Sequence, residues 1–107
     1  MQPNVAESTT ARSGLARSPA LLSVARRLIW WLPPEEALDE RSLFLARVMT
    51  LGIWEDVERV RREWGEDVFR DTLDHPPAGI FDRASWHYWH RRLGRETIPP
   101  LPKRILP

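Results

Sequence analysis

His87 and His90 stand three residues apart in a stretch with helical spacing, which puts both imidazoles on one face and within reach of a shared metal ion. Two ligands do not complete a site. Asp82 or His75 would have to join them, no His-Glu-x-x-His pattern is present, and paired histidines in an aromatic helix more often cap or pack. No metal is expected. Other chemistries fail for want of residues. Zero Cys removes a disulfide framework, a cysteine-zinc site and a thiol nucleophile together. No Ser sits in a Gly-flanked elbow and no Gly-rich loop could cradle phosphate. The single Lys, Lys103, lies in the tail, so no Lys is expected to be poised for a Schiff base. We expect neither enzyme nor cofactor.

What does recur is arginine beside aromatic rings. Arg83, Arg91, Arg92 and Arg95 interleave with Trp86, Tyr88 and Trp89. Such a set can track phosphates and stack bases. It equally suits a protein interface, where Trp, Tyr and Arg bury much area for little rotamer entropy. A net charge of only +1 is a weak footprint for nucleic acid, so a protein partner is the leading expectation. A nucleic-acid-binding autoregulator using this segment and the basic tail is the alternative.

The elements that must position these residues are marked by Pro and Gly. At 107 residues the chain is sized for one domain. Pro33-Pro34, Pro76-Pro77 and Pro99-Pro100 each remove backbone donors and read as boundaries. Residues 1–19 are small and polar and are expected to form a disordered leader. Apolar residues Leu21, Ala25, Leu28 and Leu32 predict a short helix over 20–32. A second helix is expected from an Asp39 N-cap to Leu51, with Leu43, Phe44, Ala46, Val48 and Leu51 as its apolar stripe and Gly52 as a left-handed stop. Ile53, Val57, Val60 and Trp64 predict a third that ends at Gly65, with Trp64 in the core. Helices over 66–73 and 83–93 follow, the latter between an Asp82 N-cap and a Gly94 stop, with more aromatic area than one face can bury. No run alternates with period two, so no sheet is expected. The fold class is all-α: a compact bundle of three to five short helices over 20–94, with an extended Pro-rich basic tail over 95–107 whose Ile98, Leu101, Ile105 and Leu106 are anchors.

Charge is patterned beneath the near-neutral sum. Residues 1–27 carry +3, 28–52 carry −2, 53–74 carry −4 and 75–107 carry +4. An acidic middle between basic ends can steer a partner of opposite pattern. It can equally be a set of solvated helix faces laced by four-residue pairs such as Glu55–Arg59, Glu58–Arg62 and Glu66–Arg70. The longest apolar run, residues 28–32, is far short of the roughly 20 residues that span a membrane, and residues 1–20 lack the apolar run of a secretory signal. A cytoplasmic protein without membrane contact is expected.

One stretch carries a resemblance. Trp31, Pro34 and Glu35 are followed by Arg47-Val48 before Gly52 and by Glu55-Asp56. Val60-Arg61-Arg62, Trp64-Gly65-Glu66-Asp67, Phe69-Arg70-Asp71 and Leu73 come next, with Tyr88-Trp89 and Leu93-Gly94 at the end. Over residues 31–94 the chain resembles a family of small bacterial proteins encoded beside nucleotidyltransferase-like toxins of the abortive-infection type. Late in the last helix it departs from that family, with His90, Arg91 and Arg92 making the face wetter. The resemblance implies an all-α antitoxin or adaptor that neutralises its partner by masking, with no catalytic residue to transfer. On this expectation an acidic patch of Glu55, Asp56, Glu58, Glu63, Glu66 and Asp67 meets a basic cleft. The partner-binding set is then Trp54, Glu55, Asp56, Arg61, Arg62, Glu66, Asp67, Arg70, Trp86, Tyr88 and Trp89.

Overall fold

Ser18 and Pro19 begin the first helix for two separate reasons. The Ser18 hydroxyl accepts from the Leu21 N–H at 3.1 Å, and Pro19 occupies a position whose missing N–H costs nothing. The structure, a computed structural model, describes residues 17–102. Those residues form six helices and no strand: α1 (Pro19–Leu28), α2 (Pro34–Asp39), α3 (Arg41–Leu51), α4 (Trp54–Trp64), α5 (Asp67–Asp74) and α6 (Arg83–Arg92). The all-α expectation holds. None of these helices is long and apolar enough to cross a membrane.

The count of three to five helices is corrected to six among the described residues, and the Pro33-Pro34 pair is the reason. It does end one segment, since Ile29 leaves α1 at φ −128° and ψ 66° and closes that helix at Leu28 rather than Leu32. Yet Pro34 also opens a helix, with Glu35 and Glu36 in a first turn where the helix dipole favours acids. Asp39 therefore closes α2 instead of capping α3. Glu40 serves as the joint between the two.

α3 lies at the centre and touches each of the other five helices. Its Phe44, Leu45, Ala46, Val48 and Met49 are all buried, so it is apolar nearly all round rather than along one stripe. Leu51, read as part of that stripe, is exposed. α1 contributes Leu21, Val24, Ala25 and Leu28 to the core, and α4 contributes Val57, Val60 and Trp64. The ring of Phe44 meets that of Trp64 edge-on at 5.5 Å.

Gly65 and Gly94 stop their helices with φ of 87° and 78°, as their positions imply. Gly52 does not. Its φ is −70°, and what excludes a side chain is space: an added Cβ would stand 2.6 Å from the Val48 carbonyl oxygen and 3.2 Å from Asp56 Oδ2. Gly52→Ala is expected to cost about 1–3 kcal/mol through overpacking against backbone. Urea unfolding with an unchanged slope would measure it, and a neutral result would show that the α3–α4 corner can shift.

Both ends of the described chain are tied down. Arg17 donates to the Glu35 carbonyl at 3.1 Å and pairs with Asp39, and Ser18 Oγ donates to Glu63 at 2.7 Å. Residues 17–19 thus belong to the fold rather than to a leader, while residues 1–16 lie outside the described residues. Similarly, Ile98 and Leu101 pack on the core, and Trp86 Nε1 donates to the Pro99 carbonyl at 2.8 Å. Arg95 donates to Asp74 at 2.9 Å, and that bond holds the Asp74 carboxyl below the usual carboxylate range. The expected tail is therefore docked through Pro102. Lys103, Ile105 and Leu106 lie outside the described residues.

Candidate partner-binding surface

The surface carries a recess where α3 ends and α4 begins. Val48, Met49, Gly52, Trp54, Val57, Tyr88 and Trp89 line a groove of about 180 Å³ there. That is smaller than the roughly 300–1,000 Å³ of small-molecule sites, and suits one large side chain. Trp89 is its floor. The ring of Trp89 stacks on Phe69 at 5.0 Å and 23°, and its Nε1 donates to the Met49 carbonyl at 2.8 Å. Tyr88 stands edge-on to Trp89 at 5.6 Å. Arg92 lies over the Trp54 ring at 4.6 Å, which holds that indole in place by cation–π attraction.

Half-exposed apolar side chains gather around this groove. Trp54 is 53% exposed and Tyr88 52%, while Leu51 and Ile53, which flank Gly52 in the chain, are 55% and 54% exposed. A further pair, Trp30 and Trp31, projects from the turn after α1, with Arg47 over the Trp31 ring at 5.0 Å. Sequence reading passed over Leu51 and Ile53 as anchors. Both continue the helical phase of buried residues, Leu51 that of Phe44 and Val48 and Ile53 that of Val57, Val60 and Trp64, so the period assigns them to the core, and their place at the α3–α4 corner leaves them exposed instead.

Of the residues expected to bind a partner, Trp54, Tyr88 and Trp89 are brought together at this groove. Trp89 is buried and offers only the groove floor, and Trp86, buried against Phe81 and His90, does not line the groove. Asp56 is buried as well. It accepts from the Ile53 N–H at 3.0 Å and pairs with Arg27, which makes it a strut between α1 and α4. The remaining acids are largely engaged with neighbours. Glu58 pairs with Arg61 at 3.0 Å, and the hydrogen bond from Arg61 lowers the Glu58 pKa. Glu66 and Asp67 both hold Arg70, at 3.2 and 3.1 Å. Glu55 and Arg62 are exposed, with no ion pair among the described residues.

The two histidines behave differently. His90 Nδ1 meets the Trp86 carbonyl at 2.7 Å, and since a carbonyl only accepts, Nδ1 carries the hydrogen. His90 is buried edge-on against Trp86, with Nε2 left without a hydrogen bond. The expectation of a wetter face is thereby corrected at His90, which lies in the core. His87 is exposed, with Nδ1 3.0 Å from the Arg83 carbonyl. Among the described residues no three His, Cys, Asp or Glu gather as a metal site would need. No family model, curated protein or solved structure matches this chain.

Proposed function

We propose that this chain is a small helical binding protein that neutralises a nucleotidyltransferase-like toxin by docking on it and masking its active site. The observation that supports the reading best is the groove at Gly52, with Trp54 and Tyr88 half exposed on its walls and Arg92 on its rim. Aromatic residues held half in water beside an apolar recess are the groups that dominate protein interfaces when covered. The partner class comes from the resemblance over residues 31–94, and the encounter belongs in the cytoplasm beside the toxin. The ion-paired acids Glu66 and Asp67 contribute mainly to the rate of approach to a basic cleft. The nucleic-acid alternative loses ground because Trp86 and Trp89 are out of reach of bases.

Titration calorimetry with a purified nucleotidyltransferase-like toxin tests the reading. Trp54→Ala and Tyr88→Ala are each expected to weaken binding by about 2 kcal/mol, roughly 30-fold, at unchanged circular dichroism. Absence of toxin binding, together with DNA binding that falls steeply with salt, would overturn it.

A further inference from the structure

Cations outnumber acids where α4 and α6 meet beside the groove. Arg92 lies over the Trp54 ring at 4.6 Å and stands 5.8 Å from the centre of Trp89, the groove floor. One turn along α4 from Trp54, Glu58 accepts from Arg61 at 3.0 Å. That hydrogen bond, with the charges of Arg61, Arg62 and Arg92 behind it, holds the Glu58 carboxyl below the usual carboxylate range. Three arginines thus act on one carboxylate that Arg61 already satisfies. Arg92 is exposed and forms no ion pair or hydrogen bond among the described residues, so its N–H donors are free. The acid next to Trp54 in the chain, Glu55, is the remaining exposed carboxylate of the first turn of α4.

We infer that the groove takes an acidic segment of the partner, in which one large apolar side chain is flanked by a carboxylate. The apolar side chain enters the recess between Trp54 and Tyr88, whose volume of about 180 Å³ admits one such group, and the carboxylate pairs with Arg92. The Trp54 ring already holds the Arg92 guanidinium in place, so less rotamer freedom is lost when a carboxylate accepts from its fork of donors. A basic segment would bring like charge against Arg61, Arg62 and Arg92, since Glu58 is already answered. A nucleic acid is a longer polyanion, and its phosphates would run on past Glu55 into residues 53–74, which carry −4. A single carboxylate beside one apolar group avoids that repulsion. The inference rests on reading this face as a protein-docking face, and it deepens that reading: this contact is made beside the toxin's basic cleft and not inside it.

Fluorescence anisotropy of the full chain at low salt tests this, with a labelled short peptide carrying a single Phe between Asp residues as the probe. The same peptide with Lys in place of Asp, and a short oligo-dT, are its companions. The acidic peptide is expected to bind with a dissociation constant of about 100 µM, and to bind more weakly as salt rises. Arg92→Glu should raise that constant about tenfold and Arg92→Lys, which keeps the charge and loses the fork, about threefold, both at unchanged circular dichroism. Trp54→Ala should weaken it as well. Equal binding of the Lys peptide, preference for oligo-dT, or an affinity indifferent to Arg92→Glu would overturn the inference. A toxin that binds the chain without displacing the acidic peptide sinks this inference alone. A chain that binds the acidic peptide and ignores the toxin sinks the neutraliser reading alone.

Discussion

Truncating Trp89 to alanine is expected to lower the unfolding free energy by about 3–5 kcal/mol, the cost of emptying a buried aromatic site that cannot fully collapse. Three losses combine. The stacked contact with Phe69 goes, the cavity opens between α3 and α6, and the Met49 carbonyl loses its donor from a residue 40 positions away. For a domain of about 100 residues this corresponds to a melting temperature lower by roughly 15–25 °C. Trp89→Phe separates the parts, because it keeps the stacking ring and deletes the N–H, and should cost only about 1–2 kcal/mol. Thermal and urea unfolding of both variants supply the measurement. A loss below about 1 kcal/mol for the alanine variant would mean that Trp89 does not join these helices. Because Trp89 is also the groove floor, the same variant should lose partner binding, whereas Trp54→Ala should lose binding and keep stability.

Asp56→Ala is expected to cost about 2–3 kcal/mol. Its carboxylate is only 1% exposed, yet it serves two donors: the Ile53 N–H at the start of α4 and the Arg27 guanidinium at the end of α1. Breaking a buried pair from one side costs more in general, about 3–5 kcal/mol. Here Arg27 is about half exposed, so water takes up its charge when the partner is gone, and the lower figure follows. Asp56→Asn keeps an acceptor for Ile53 and should recover about half of the loss. Urea unfolding of the two variants decides the matter. Equal stability of wild type and the alanine variant would show that the strut between α1 and α4 does not bear on folding.

Local grammar was legible where it depends on a few neighbouring residues. Asp82 caps α6 through the Ser85 N–H at 2.7 Å, Gly65 and Gly94 take up positive φ, and Trp64 continues the Val57–Val60 stripe into the core. The candidate site was legible in type but not in membership. Trp86, Trp89, His90 and Leu93 share one phase of the 3.6-residue period and are all buried, while Tyr88 falls on the opposite phase and is exposed. Grouping them as an aromatic and basic cluster hid that phase. Asp56 was read as part of an acidic surface because its partner, Arg27, lies 29 residues away. Pro34 was read as a stop because a proline that ends one helix and opens another has the same local look.

The sequence alone determined an all-α chain whose helices start and stop largely where Pro, Gly and capping side chains dictate, since those effects act within one turn. It also determined that no thiol chemistry is present, as there is no Cys. Only the tertiary structure decided which aromatics are spent on the core and which remain for a partner. That choice is set by how α6 is rotated against α3, through contacts such as Trp89 to Met49 that join residues far apart in the chain. No local rule about either segment contains that rotation, because it minimises exposed apolar area over all six helices together.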